Sequence, residues 1–372
     1  MSAIGKVIDF DFIERIFREA HSDEHAAQLV ISNAGLRVVI ASGCFQEDSL
    51  VNIYSISKAI ATIVLYDVCF REGIDLDTKV SRVWPKFSGD KKDIRISNIL
   101  NHTSGLPHFG VQLAPEALYD WDRIVSVLEL TTPLHKAGEE YCYHARTYGF
   151  LLGEIVRRIS GLSIGSYLRD FLGPKYGSGV YFGLRSLDEF SKLIPLVSAD
   201  SEGYKYVKRL NNKLEEFRDS KINESRLVHT KKVFDNPFNP ILMPNDPRWC
   251  VSELPSSGCI SNALNIVNFF SNYMNDSTNS STLIRSRLNL DSQTSLDQVL
   301  GFPVRWKSGF GENLGEFGSG KHRYGYRAIG GSIFFFDPTI EFYFCYTTSK
   351  MIPKVGLYPA HDPRILELLN EI

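Results

Sequence analysis

The sequence predicts a mixed α/β protein of the α+β class, with an antiparallel sheet built from the amino- and carboxy-terminal segments, flanked by helices, and an all-helical inserted region between them. Three observations carry that expectation. Two β-rich runs, Gln28 to Ser32 and Leu36 to Ser42, lie near the amino terminus on either side of Asn33-Ala34-Gly35, whose Asn and Gly suit a tight hairpin. Further strand-like runs, Phe302 to Trp306, Ser332 to Phe336 and Glu341 to Thr347, crowd the carboxy-terminal part, the last two joined by a turn at Asp337-Pro338. The long middle carries helical spacing instead.

A helix opens the chain, since Phe10, Ile13, Ile16 and Phe17 recur on one helical face within residues 8 to 20. From Ser55 to about Phe70 the residues are apolar on nearly every face, the mark of a helix buried in the centre rather than lying on the surface. Arg146 to Ser160 forms a second strong helix, ended by Gly161, and Asn262 to Met274 a third. A closing helix, Arg364 to Glu371, follows Asp362-Pro363. The expectation is one domain over residues 1 to 372. Its sheet subregion covers about 8–50 and 295–372, and its helical subregion about 55–290. Between about Leu184 and Asp246 the composition shifts to Lys, Glu, Asp and Ser, which suggests a surface excursion or lid.

Composition narrows the function. The chain has 372 residues, 43% hydrophobic and 23% charged, with a formal net charge of -2, so nothing favours a nucleic-acid partner. Asp9, Asp11 and Glu14 interrupt what a signal peptide would need as an apolar core, and no run of roughly 18 apolar residues could span a bilayer. A cytoplasmic protein acting on a small molecule is expected. The six cysteines have no CxxC spacing and are expected to behave as small buried hydrophobes. His21 and His25 alone show HxxxH spacing, without the glutamate of an HExxH site, and are expected at a solvated helix end. No metal or other cofactor is implied. Gly315 to His322, GEFGSGKH, approximates a P-loop but has His where Ser or Thr should follow the lysine, so it is expected to be a glycine-rich loop.

The chemistry-bearing stretch is Ser55-Ile56-Ser57-Lys58, at the head of the apolar helix. A Ser and a Lys three apart share a helical face, so the lysine nitrogen can reach the serine hydroxyl. At the helix amino terminus, free N–H groups and the dipole favour the negative charge developing on an attacked acyl oxygen, and serine there is also a natural cap. Burial among Ile, Val and Leu disfavours a charged Lys58 and makes it a base. Spacing alone does not decide, since Ser88-Gly89-Asp90-Lys91 repeats it in a polar turn expected to be a solvated loop.

Three further stretches join it: ILNHTSGLP (99 to 107), YHARTYGFLLGEIVRRISG (143 to 161) and YGYRAIGGSIFFFDP (324 to 338), with E-L-P-S-S-G at Glu253 to Gly258 before a helix. In order and spacing, over roughly residues 10 to 370, these resemble the serine β-lactamase-like superfamily of the class C type, including family VIII carboxylesterases and related acyltransferases. The resemblance implies the β-lactamase/transpeptidase-like fold and a serine acyl-enzyme hydrolase or acyltransferase, with Ser55 as nucleophile, Lys58 as base partner and Tyr143 as second proton-transfer residue. A phenol near a lysine ammonium should ionise more readily, so the three are expected to share protons as a coupled set. His102 and Ser104 invite a triad with Ser55, but no acid is spaced to orient the imidazole.

Two departures stand out. Where β-lactamases carry Tyr-x-Asn, position 145 is Ala, and where they carry Lys-Thr-Gly on a strand, this chain has Tyr326-Arg327-Ala328. Tyr326 and Arg327 are then candidates to contact a substrate carbonyl or carboxylate, with Ser55 and either Ala328 or Ile329 supplying oxyanion N–H groups and His144 beside the site. These departures argue against a true β-lactamase or D,D-peptidase and for an ester, thioester or amide substrate. The rival reading is a non-catalytic binding protein that kept the fold while its site drifted.

Overall fold

The hairpin at Asn33-Ala34-Gly35 forms with Ala34 at φ 45° and Gly35 at φ 90°. Both lie in the left-handed region, which gives a two-residue connection the twist of its flanking strands. In the computed structural model, which describes residues 10–21, 26–198, 224–237, 242–352 and 363–372, this hairpin joins β1 (Ala26–Asn33) to β2 (Leu36–Gly43). The remaining strands of the same sheet are carboxy-terminal: β3 (Trp306–Lys307), β4 (Phe310–Glu312), β5 (Tyr324–Arg327), β6 (Ile333–Asp337) and β7 (Phe342–Thr348). They form one seven-stranded sheet in the order β2-β1-β7-β6-β5-β4-β3, antiparallel at every pairing. The two ends of the chain meet where Val30 of β1 lies opposite Cys345 of β7.

Five helices organise the rest: α1 (Phe10–Ala20), α2 (Ser57–Arg71), α3 (Thr147–Ser160), α4 (Ala263–Asn275) and α5 (Pro363–Glu371). Alternation along the strands divides the core in two. Ile333 and Phe335 of β6 pack with Ile13, Ile16 and Phe17 of α1 and with Ile365 and Leu368 of α5. Phe334 and Phe336 face the other way, where Phe270 of α4 stacks near both, at 4.4 and 5.9 Å between ring centres. On that side α2 is buried continuously from Ser57 to Cys69, as its uniform apolarity requires. Gly161, at φ 75°, ends α3, and Asn262 caps α4 by accepting the Asn265 N–H at 2.7 Å.

Several local expectations are corrected. The inserted region is not helical throughout: Val51–Asn52, Cys259–Ser261 and Tyr181–Phe182 form a small sheet that pins the chain just before α2. The run from Phe302 to Trp306 splits, because Pro303 has no N–H for a ladder; Pro303–Val304 pairs with Ser295–Leu296, and only Trp306 enters the large sheet. His21 is buried rather than solvated, held between the Phe17 carbonyl (2.7 Å) and the Tyr346 hydroxyl (2.9 Å); His25 lies outside the described residues. Lys91 is buried too. Its Nζ lies 5.8 Å from the centre of the Phe87 ring and donates to the Thr131 carbonyl at 2.9 Å, since a long aliphatic side chain can reach an internal acceptor from a polar turn. Five of the six cysteines are buried and Cys44 is exposed. In the excursion, residues 199–223 and 238–241 lie outside the described residues, and a helix, Glu224–Phe234, runs between them. No helix among the described residues is long and apolar enough to cross a membrane.

Candidate active site

Ser55 sits at a bend that the backbone does not adopt easily. After the short strand Val51–Asn52, Tyr54 takes φ 45°, a left-handed conformation that costs energy in a non-glycine residue and tends to be kept at functional sites. A 3-10 turn, Tyr54–Ile56, follows and runs into α2. Ser57 accepts the Cys259 N–H at 3.0 Å and ties this turn to the small sheet. Ser55 does not cap α2, as a serine there commonly would. The cap position is Ile56, and the Ser55 Oγ instead meets the Tyr143 hydroxyl at 2.9 Å and the Lys58 Nζ at 3.3 Å.

Lys58 is fully buried. Its Nζ donates to the main-chain carbonyls of Ala145 and Ser256, each at 2.9 Å. A neutral amine has two N–H bonds and one lone pair; with the carbonyls taking both N–H bonds, the lone pair faces the Ser55 hydroxyl. Burial, and secondarily the Arg146 guanidinium, hold the Lys58 pKa well below its ordinary value, which favours that neutral form. The E-L-P-S-S-G stretch therefore supplies a partner that the sequence pattern did not assign. Ser256 gives its carbonyl to Lys58 while its Oγ links the Gly149 N–H (2.7 Å) to the Arg146 carbonyl (2.6 Å). A Cβ at Gly149 would lie 2.2 Å from the Ser256 nitrogen, so this approach requires glycine in YHARTYG.

Tyr143 is held from behind. Its N–H donates to Asp297 Oδ1 at 3.1 Å, and its ring stacks on Trp306, 5.5 Å between centres, whose Nε1 donates to Asp297 Oδ2 at 3.2 Å. Asp297 also accepts the N–H groups of Val299 and Leu300, both at 2.9 Å. Nothing in the run Ser295 to Leu300 marks this aspartate as special. The phenol does not ionise readily, contrary to the sequence-based expectation: burial raises its pKa, the Ser55 contact opposes that, and the Asp297 charge adds to the rise. Tyr143 is thus a proton donor in the resting site, aimed at Ser55.

The histidines lie behind this group. His144 Nδ1 faces the Cys142 carbonyl at 2.5 Å, which places its proton there and leaves Nε2 to accept the Ser104 hydroxyl at 2.6 Å. Ser104 therefore serves His144, and His144 is buried away from the cleft, which removes it from the substrate-contact candidates. His102, at φ 56°, accepts the His144 N–H on Nδ1 at 3.1 Å and packs its ring on Tyr143 and Trp306. Burial keeps it uncharged.

In front of Ser55 opens a cleft of about 170 Å³, walled by Tyr54, Phe234, Trp249, Phe302 and Trp306. Tyr326, Arg327 and Ile329 line it. Tyr326 donates its hydroxyl to the Gly309 carbonyl at 2.8 Å, so its oxygen is engaged inside the protein. Arg327 is half-buried, with Glu316 nearby. Ala328 is fully buried and spends its N–H on the Ser332 carbonyl at 2.8 Å; of the two residues considered for an oxyanion contact, Ile329 is the one in the cleft. Arg146 also lines the cleft and had no sequence signal beyond its neighbour Tyr143. Among the described residues no group of three or more His, Cys, Asp or Glu side chains could hold a metal ion.

The wider comparisons agree with this architecture. The family model described as Beta-lactamase matches residues 13–365. A solved family VIII carboxylesterase is similar at a TM-score of 0.81 and 22% identity, over 97% of this chain and 95% of that one. A penicillin-binding protein homolog from Caulobacter crescentus is similar at a TM-score of 0.80 and 24% identity, over 99% and 98%. The esterase/beta-lactamase LipL of Mycobacterium tuberculosis is 24% identical over 153 residues, 40% of this chain and only 35% of LipL. At these identities the solved structures speak to the fold, whereas the family model spans nearly the whole chain: the protein belongs to the beta-lactamase family.

Proposed function

We propose that this protein is a serine acyl-enzyme hydrolase of the esterase type, with Ser55 as nucleophile, Lys58 as its base and Tyr143 as proton donor to the leaving group. The observation that carries the reading is the arrangement at Lys58: two carbonyls at 2.9 Å and the Ser55 Oγ at 3.3 Å, around a buried amine. Lys58 takes the Ser55 proton as Oγ attacks an acyl carbonyl, and the oxyanion is met by the Ser55 and Ile329 N–H groups. The C–O bond to the leaving group then breaks, and Tyr143 gives that oxygen its proton. The ammonium formed on Lys58, whose Nζ lies 4.9 Å from the centre of the Tyr143 ring, offsets the phenolate charge until the proton is returned. Water, or an acceptor nucleophile admitted to the cleft, resolves the acyl-enzyme by the reverse sequence.

The aromatic walls suit an apolar or aryl limb on a small ester or thioester. Ala145 leaves no amide to orient a β-lactam, yet its carbonyl still serves Lys58, so loss of the asparagine alters substrate choice and spares the base. The same retention of Ser55, Lys58 and Tyr143 in contact disfavours a binding protein with a drifted site. Intact mass after treatment with a fluorophosphonate, and turnover of 4-nitrophenyl esters, test the reading. One adduct on Ser55, absent in Ser55→Ala, is expected; no adduct on the folded wild type would overturn it.

A further inference from the structure

Arg146 lies immediately before α3 and lines the cleft that holds Ser55 and Tyr143. Its place is unfavourable for a cation twice over. The amino end of a helix carries the positive end of the dipole, and burial brings the guanidinium down to about 10. A guanidinium half-buried in a cleft wall in this way is ordinarily paired with a carboxylate. Among the described residues none lies within ion-pair range of Arg146. Its hydrogen bonds go to the main-chain carbonyls of Val233 and, at 2.9 Å, Phe234, at the end of the helix Glu224–Phe234. These use two of its five N–H groups, and Asp235 acts on it from a greater distance. The other cleft arginines differ: Arg305 is paired with Glu312 at 3.1 Å, and Arg327 has Glu316 nearby.

We propose that Arg146 is the anion-binding residue of the cleft, and that the substrate carries a carboxylate that pairs with it while the acyl carbonyl reaches Ser55. This rests on Ser55 being the nucleophile. The carboxylate meets the guanidinium through charge-assisted hydrogen bonds, and the rest of the substrate lies against Phe234, Phe302 and Trp306. Pairing has a second effect. The bare Arg146 charge disfavours a proton on Lys58; once an anion offsets it, Lys58 becomes the stronger base when a substrate of the right class is seated.

Two matched ester pairs test this. The 4-nitrophenyl ester of hexanoic acid and the 4-nitrophenyl monoester of adipic acid differ by a carboxylate on the acyl limb, and phenyl butyrate and 3-carboxyphenyl butyrate by one on the leaving limb. Wild type is expected to favour the anionic member of at least one pair by roughly 10- to 100-fold in kcat/KM, corrected for the uncatalysed rates. Arg146→Met should collapse that ratio toward one, whatever it does to absolute rates, and Arg146→Lys should restore part of it. No anionic preference in wild type, or one that survives Arg146→Met, overturns the inference while the Ser55 adduct still stands; absence of the adduct removes the catalytic reading itself and the inference with it. Should Arg146→Met fail to fold, protection of wild-type Ser55 from a fluorophosphonate decides: monomethyl adipate must protect at lower concentration than dimethyl adipate, and equal protection overturns the inference.

Discussion

The main-chain N–H of Tyr143 donates to Asp297 Oδ1 at 3.1 Å, while the other oxygen of the same carboxylate accepts from Trp306, the residue on which the Tyr143 ring is stacked. One buried acid therefore fixes the phenol through its backbone and through its ring. It also raises the phenol's pKa, because a nearby negative charge disfavours phenolate.

Asp297→Asn should expose both roles. The amide oxygen can keep the three N–H groups at Oδ1, but Trp306 loses its acceptor, and the buried charge is gone. A stability loss of about 1–3 kcal/mol is expected. With the charge removed, Tyr143 loses its proton at lower pH than in wild type, so the alkaline limb of the kcat/KM profile should move to lower pH. An unmoved limb, with only stability reduced, would leave Asp297 a structural residue.

Lys58→Met tests the protonation state of the base through folding. The Lys58 pKa is held below its ordinary value of 10.5 in the folded protein, so between the folded and unfolded values the unfolded chain binds one more proton. Stability at this site therefore rises with pH over that window, by about 1.4 kcal/mol per pH unit at most. Methionine does not titrate. The stability of Lys58→Met relative to wild type should accordingly be greatest at low pH and decline as pH climbs toward 10.5. Hydrogen bonds lost to the Ala145 and Ser256 carbonyls offset the two curves without changing that slope. Denaturant titrations at several pH values measure it; parallel curves would mean that folded Lys58 is charged.

The sequence exposes some of these relationships and hides others for identifiable reasons. The hairpin at Ala34-Gly35, the apolar α2 and the Gly161 stop are local, set by turn geometry and periodicity within a few residues. Ser55 and Lys58 are legible because three residues on one helix face fix their distance. Asp297 and Ser256 are not: each serves the site across more than a hundred residues of chain, Asp297 by accepting the backbone N–H of Tyr143 and Ser256 by offering its own carbonyl to Lys58, and neither contact leaves a local pattern in the sequence. Lys91 is hidden for the opposite reason, since its neighbours in sequence suggest a solvated turn while the fold turns it inward.

Tyr143→Phe removes the proton donor while keeping the ring on Trp306. Acylation of Ser55 by an ester with a poor leaving group should fall by about 10²- to 10⁴-fold. A 4-nitrophenyl ester, whose leaving group needs no proton, should suffer much less. Equal losses on the two esters would assign Tyr143 to positioning Ser55 rather than to protonating the leaving oxygen.

Ser104→Ala separates the histidine pair from the chemistry. Ser104 donates to His144 Nε2, whose other nitrogen is committed to the Cys142 carbonyl, so the imidazole has no free position from which to reach Ser55. Removing the hydroxyl leaves a buried Nε2 without its donor, at a cost of about 1–3 kcal/mol in stability. Fluorophosphonate labelling of Ser55 should proceed within about twofold of wild type, a shift of less than half a kcal/mol in barrier. A large loss of labelling in a variant whose unfolding midpoint confirms a folded protein would bring His144 into the catalytic path, by way of the His102 ring that contacts both His144 and Tyr143.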